Sequence, residues 1–323
     1  MPKLYPLRFE PIFRRYLWGG RRLESVLGKR LGEGTDYAES WEIVDHGADQ
    51  SVVKWGPLHG TSLADLCRDH GPALFGKHHP QQHFPLLFKF LDCQQQLSLQ
   101  VHPNDEQGSR LDPPDLGKTE AWVILAAEPG SYLYMGLRRG FDLPTLEREI
   151  GRGTCELCVE KIEPQAGDCF FIPAGMIHAL GPGLLVAEIQ QSSDTTYRVY
   201  DWNRKGPDGK LRALHVPQAM GVINESFGPG QSQTPTATCE KNVERLVACD
   251  KFVLDRRTVR EPQSIAGDNR CRILAVVSGT VQVAGDPAPQ PLSHGDVTLI
   301  PAGIGAVQLT PQTPSVVLEI ALP

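Results

Sequence analysis

An internal echo constrains the fold of this chain more than any other feature. Gly167-Asp-Cys-Phe-Phe-Ile-Pro-Ala-Gly175 recurs as Gly295-Asp-Val-Thr-Leu-Ile-Pro-Ala-Gly303, about 130 residues later. Each copy is a short apolar run entered through Gly-Asp and left through Pro-Ala-Gly, the pattern of a strand held between tight turns. Each also follows an apolar run that ends in a glycine turn: residues 121–127 before Pro129-Gly130, and residues 272–277 before Ser278-Gly279-Thr280. Two copies of one β-rich unit are implied, the first enlarged by an insertion around Asp142. Residues 228–238 carry turn formers and polar side chains with almost nothing to bury, so a boundary is expected there. The expected domains are residues 1–230 and 239–323, and 323 residues suffice for two such cores.

The 32 glycines and 27 prolines punctuate short runs of Val, Ile, Leu and Phe, which predicts a mainly β protein with few helices. Helices are expected at residues 62–79, where Ser62 and Asp65 form a capping pair, at 142–150, ended by Gly151, and at 216–224. With 40% hydrophobic and 22% charged residues the chain is a globular protein, not a disordered one. No run approaches the roughly 20 apolar residues that span a bilayer, and the first residues lack the apolar core of a signal peptide. A cytoplasmic protein is expected. A net charge of −6 without a basic stripe argues against nucleic acid or membrane as a partner. Eight scattered cysteines read as reduced thiols, and the single C-x-x-C, Cys155 and Cys158, has no second pair to close a zinc site.

Gly167-x5-Pro173-x-Gly175-x2-His178 is similar to the second sequence motif of the cupins, small antiparallel jelly-roll barrels, so the fold class expected is two such barrels with a few helices. In the second copy Ala306 stands where His178 stands in the first. The scaffold therefore does not need an imidazole for packing, which favours a ligand role for His178. In the strand at residues 97–102, Leu97, Leu99 and Val101 share one face while Ser98, Gln100 and His102 share the other. A half-buried strand with its polar row in water has the same alternation. Here Pro103-Asn104-Asp105 turns the chain, and Gln100 with His102 can share one ion. Glu120 opens the next apolar strand, and Asn269 or a neighbour takes its place in the second copy. Gln100, His102, Glu120 and His178 offer two imidazole nitrogens and two oxygens, a set suited to one zinc ion per chain and tolerant of manganese, cobalt or iron. Such a set leaves a coordination position open for water or substrate.

These residues resemble a known family, the type I phosphomannose isomerases, also called mannose-6-phosphate isomerases, in their short bacterial form. The resemblance covers most of the chain: Tyr16-Leu-Trp18-Gly-Gly20, Phe84-Pro-Leu-Leu-Phe-Lys89, Ser98-Leu-Gln100-Val-His102-Pro103-Asn104-Asp105, Gly117-Lys118-Thr119-Glu120, Pro173-Ala-Gly175-x-x-His178 and Asp194-Thr-Thr-Tyr-Arg198. It implies a zinc-dependent enzyme that interconverts mannose 6-phosphate and fructose 6-phosphate, with Gln100, His102, Glu120 and His178 as the metal ligands. It also implies Lys118 and Arg198 as active-site cations, Glu188 and Asp194 as active-site acids, and Ser98 and Lys89 as substrate-pocket positions. The chain departs from longer members after Arg198, where their Gly-Leu-Thr-Pro-Lys segment is replaced by Val199-Tyr-Asp-Trp-Asn-Arg204, leaving Arg204 or Lys205 as unassigned replacements.

Moving a carbonyl between C1 and C2 of a sugar develops negative charge on oxygen, which a divalent ion and fixed cations stabilise. Glu188, Asp194 and Lys118 are the candidate acids and bases. For both acids an ion pair with Arg198 is the structural alternative. His78, His79, His83 and His215 have no ligand-like partner at short spacing. The expected partner is a small sugar phosphate, and the chain acts as a monomer or homodimer. The competing readings are a non-catalytic bicupin that binds sugar or metal, and another metal-dependent cupin enzyme, either an isomerase of an unphosphorylated sugar or a dioxygenase.

Overall fold

The computed structural model of the protein describes residues 3–206, 209–265 and 267–323, and strands dominate it. Among the described residues no helix is long and apolar enough to cross a membrane. The chain separates into two compact units. One comprises Arg15–Gly20 and Phe90–Gln233; the other comprises the N-terminal residues up to Arg14, Arg21–Lys89 and Thr234–Pro323.

In the Phe90–Gln233 unit, five antiparallel strands run in the order Val159–Ile162, Leu133–Leu137, His178–Leu180, Leu99–Val101, Tyr197–Tyr200. Because side chains alternate, Leu99, Val101, Ala179 and Val199 fall on one face and join Leu137, Leu146 and Ala219 in an apolar cluster. Leu146 comes from the helix Leu143–Arg152 and Ala219 from Val216–Met220. Gln100, His178 and Arg198 are directly paired in register and fall on the opposite face. A second run of strands places Glu120–Ala127 between Cys169–Ile172 and Leu184–Gln191. The polar row of residues 97–102 is not in water: Ser98 and His102 are buried, and the regular strand shrinks to Leu99–Val101.

Three helix boundaries differ from the sequence expectation. Asp142 caps the helix Leu143–Arg152 by accepting from Thr145 N at 2.9 Å, but the helix passes Gly151 and stops at Gly153, whose φ of 74° forms a left-handed cap. Residues 216–224 give only Val216–Met220, followed by a 3-10 turn at Glu225–Phe227. Residues 62–79 give Leu63–Phe75, capped by Ser62 and ended by Gly76 at φ 57°. A Cβ on Gly76 would stand 2.3 Å from the Asn269 carbonyl oxygen, so the chain turns there because only glycine fits.

In the other unit, a six-stranded sheet ordered Thr236–Ala237, Val243–Ala248, Val253–Val259, Ser315–Ala321, Arg272–Ser278, Val297–Ile300 accompanies a four-stranded sheet of Gln263–Ile265, Val307–Pro311, Thr280–Val283 and Leu292–Ser293. Val259, Leu274, Val276 and Val317 from the first meet Ile265, Val281, Val283 and Leu309 from the second in one apolar cluster. Residues 21–89 belong here and not with residues 90–230 as expected. The reason is long-range backbone pairing: Leu7 and Leu299 exchange two hydrogen bonds of 2.8 Å, and Lys77 N donates to the Asn269 carbonyl at 3.0 Å. Such pairings carry no local sequence signal.

The repeat is real in register as well as in letters. Cys169–Ile172 pairs with Glu120–Ala127 as Val297–Ile300 pairs with Arg272–Ser278, and Gly167 and Gly295 turn at φ 95° and 90°.

Candidate metal centre

The strands Leu99–Val101, Glu120–Ala127 and His178–Leu180 bring His102, Glu120 and His178 together, with one ligand atom from each lying within 4.8 Å of the others. His178 Nε2 is 3.3 Å from Glu120 Oε1 and His102 Nε2 is 3.6 Å from Glu120 Oε2. Both rings are oriented by backbone: His102 Nδ1 donates to the Thr195 carbonyl at 2.9 Å and His178 Nδ1 to the Met176 carbonyl at 2.8 Å. This assigns the proton to Nδ1 and turns each Nε2 lone pair toward the shared centre, the usual support of a metal-bound histidine. Burial pulls the His178 imidazole down to about 4; the Met176 carbonyl opposes this, Lys118 reinforces it and Glu188 opposes it. His178 is therefore neutral at neutral pH, the form that ligates metal.

Gln100 joins the group through its amide, whose Nε2 lies 3.3 Å from His178 Nε2. Amide nitrogen and oxygen exchange places by a half-turn of the side chain, which presents Oε1 to the centre. Two neutral imidazoles, one carboxylate and one amide oxygen form a mixed nitrogen and oxygen donor set that fits a divalent ion.

Lys118 is also present, its Nζ 3.4 Å from Glu120 Oε2 and 3.4 Å from His102 Nε2. Glu188, buried, accepts from Trp122 Nε1 at 2.9 Å, and the Trp122 ring stands edge-on to His178 with centroids 5.3 Å apart. The structure therefore pairs Glu188 with an indole, while Arg198 donates through Nη1 to the Ala213 carbonyl at 2.9 Å. Asp194 is exposed in the turn before Tyr197–Tyr200. Ser98 is buried just before Leu99–Val101. Lys89 belongs to the other compact unit, where its Nζ is 3.6 Å from Glu39 Oε2. Cys155 and Cys158 are buried in the apolar cluster with their thiols pushed up by burial, Cys155 to about 12, which keeps both protonated at neutral pH.

Sequence reasoning missed the carbonyls of Thr195 and Met176, which carry no side-chain signal, and Trp122, which reads as an ordinary strand residue. It also misplaced the counterpart of Glu120. Ile172 pairs with Glu120 and Ile300 pairs with Arg272, so register assigns that position to Arg272, not Asn269. Likewise Trp122 pairs with Glu188 and Leu274 with Glu319. In the second copy Arg272 and Arg257 both hold buried Glu319, at 2.7 Å each, so an ion-pair network occupies the place of Glu120 and Glu188 in the first.

The chain is similar to proteins of known kind over most of its length. Residues 7–123 match the family model "Phosphomannose isomerase type I, catalytic domain". Mannose-6-phosphate isomerase ManA of Bacillus subtilis is 33% identical over 309 residues, covering 94% of this chain and 95% of that protein. The chain belongs to the type I phosphomannose isomerase family. A probable mannose-6-phosphate isomerase of the same organism, GmuF, is 40% identical over 303 residues, 93% of this chain and 95% of its own. The crystal structure of the mannose 6-phosphate isomerase from Bacillus subtilis superposes with a TM-score of 0.89 at 28% identity, covering 98% of this chain and 99% of that one.

Proposed function

We propose that the protein is an aldose–ketose isomerase that interconverts mannose 6-phosphate and fructose 6-phosphate through an enediol, using one divalent ion held by Gln100, His102, Glu120 and His178. The observation that carries this reading is the pair of Nδ1-anchored imidazoles whose Nε2 atoms converge on one buried carboxylate. The donor set favours zinc as the ion. When bound, a divalent ion supplies positive charge against the negative charge that develops on the sugar oxygens.

The chain's own residues do the rest. Lys118, 3.4 Å from two of the ligand atoms, adds a fixed cation beside the reacting carbons. Glu188 is the proposed base for the proton that moves between C1 and C2; the Trp122 N–H holds one of its oxygens and orients the other. Asp194 is proposed as an acid meeting substrate from the solvent side, in keeping with its exposure. Arg198 is proposed as a second cation facing the anionic substrate, away from the reacting carbons, and Ser98 as a substrate contact, while the proposal for Lys89 rests on family resemblance alone. The first repeat is read as the catalytic jelly-roll barrel and the second as a barrel that has lost its ligands. We also propose that the enzyme works in the cytoplasm on a free sugar phosphate, as a monomer or homodimer.

Metal analysis of the purified protein combined with a coupled assay tests the reading. Turnover of mannose 6-phosphate, loss on chelation and recovery with zinc are expected. A metal-loaded protein that yields no fructose 6-phosphate would leave a binding bicupin. Equal turnover of mannose would point to an unphosphorylated substrate, and oxygen consumption to a dioxygenase.

A further inference from the structure

The strand Tyr197–Tyr200 and the loop that follows it crowd three guanidiniums around one carboxylate. Arg204 is already committed: Nη2 meets Asp201 Oδ1 and Nη1 meets the Gln96 carbonyl. Arg212 Nη1 lies 3.6 Å from the same Asp201 oxygen. Arg198 is tied to the Ala213 carbonyl at 2.9 Å, and its backbone N–H donates to His215 Nδ1 at 3.1 Å. The Arg198 Nε is buried with no hydrogen-bond partner among the described residues. Burial holds the Arg198 guanidinium below its ordinary value, and the neighbouring Arg212 adds to that, against Asp201.

Three cations against one anion leave two positive charges in excess, within a chain whose net charge is −6. Like charges gathered around a buried donor are unfavourable unless an anion joins them. A phosphate monoester carries about −1.5 to −2 at neutral pH, which matches the excess, and its oxygens suit guanidinium forks. Placement agrees. His178 pairs with Gln100 and Gln100 with Arg198, so the three lie in a row on one face of three adjacent strands. With strands ~4.8 Å apart, Arg198 stands about 10 Å from His178 along the sheet. An open-chain hexose 6-phosphate whose C1 and C2 lie at the metal ligands spans that distance with the help of an arginine side chain.

We propose that Arg198 and Arg212 form the subsite that grips the phosphate of the substrate, with Arg204 and Asp201 positioning them. The substrate's identity rests on the isomerase reading; the subsite itself recognises any phosphate monoester or free phosphate. Arg204, already held by Asp201 and the Gln96 carbonyl, is a positioning residue.

The test uses the metal-loaded enzyme and its Arg212→Ala and Arg212→Lys variants. The Arg212 side chain is 40% exposed, so folding tolerates both changes, and circular dichroism verifies it. The readouts are metal content, inhibition and calorimetric binding by inorganic phosphate, and KM and kcat for mannose 6-phosphate. In Arg212→Ala the affinity for phosphate is expected to fall roughly tenfold or more and KM to rise similarly, with a smaller change in kcat and normal metal content. Arg212→Lys should fall between, since it keeps the charge and loses the fork. Phosphate affinity and KM that stay within about twofold of wild type in Arg212→Ala overturn the proposal. If the wild-type protein binds phosphate through Arg212 but does not convert mannose 6-phosphate, the subsite stands and the isomerase reading fails.

Discussion

Replacing Glu120 by glutamine keeps the side-chain volume and removes the one carboxylate of the histidine–glutamate cluster. Lys118 Nζ is 3.4 Å from Glu120 Oε2, and the two side chains are 6% and 1% exposed. In the metal-free protein Glu120→Gln therefore leaves an ammonium uncompensated in a buried place, a loss of about 3–5 kcal/mol for a broken buried pair. In the loaded protein it removes the proposed charged ligand. Metal affinity should fall on the order of 100-fold or more, since even outer partners of a ligand are worth 10–100-fold. The two effects separate in the double variant Lys118→Met/Glu120→Gln. Replacing both members of a buried pair by uncharged groups is close to neutral, so stability should recover while metal binding does not. Urea unfolding in chelator measures the first effect, and metal analysis after equilibration with zinc the second. Normal metal content in Glu120→Gln, or a double variant no more stable than the single, would refute the reasoning.

Three further outcomes are expected. His178→Ala should lose metal and activity and be destabilised by about 2–5 kcal/mol through the cavity left by a fully buried ring, yet keep its β-rich circular dichroism; normal metal content in that variant removes His178 from the site. Trp122→Phe deletes the 2.9 Å bond to Glu188, at a cost of about 1.5–3 kcal/mol, and should lower kcat more than KM with metal retained; unchanged kcat would separate Glu188 from the chemistry. Native alkylation should modify exposed Cys239 and spare Cys155 and Cys158, whose buried thiols titrate far above neutrality; rapid labelling of the C-x-x-C pair, read by mass spectrometry, contradicts its placement in the apolar cluster.

Much of the site was legible because its signals are local. His178 and Ala306 differ within a repeated frame, the polar face of residues 97–102 follows from period-two alternation, and Glu120 opens an apolar strand. The cap at Ser62 was legible for the same reason, since it acts on a backbone N–H three residues ahead. The end of the helix Leu143–Arg152 was less so: Gly151 and Gly153 are equally plausible stops in letters, and only the latter adopts the left-handed conformation. The grouping of residues 21–89 with Thr234–Pro323 was not legible at all, because it depends on partners more than 190 residues away, such as Lys77 and Asn269.

The sequence by itself determined which side chains are available and how they alternate along each strand, because turn chemistry and strand periodicity act over a few neighbouring residues. Tertiary structure decided what those side chains face. It anchored His102 and His178 on the Thr195 and Met176 carbonyls, placed Arg272 rather than Asn269 opposite Ile300, and gathered Arg198, Arg204 and Arg212 around Asp201. Strand register and loop packing set those distances, and both are settled by the burial of the whole sheet, which no short window of the chain encodes.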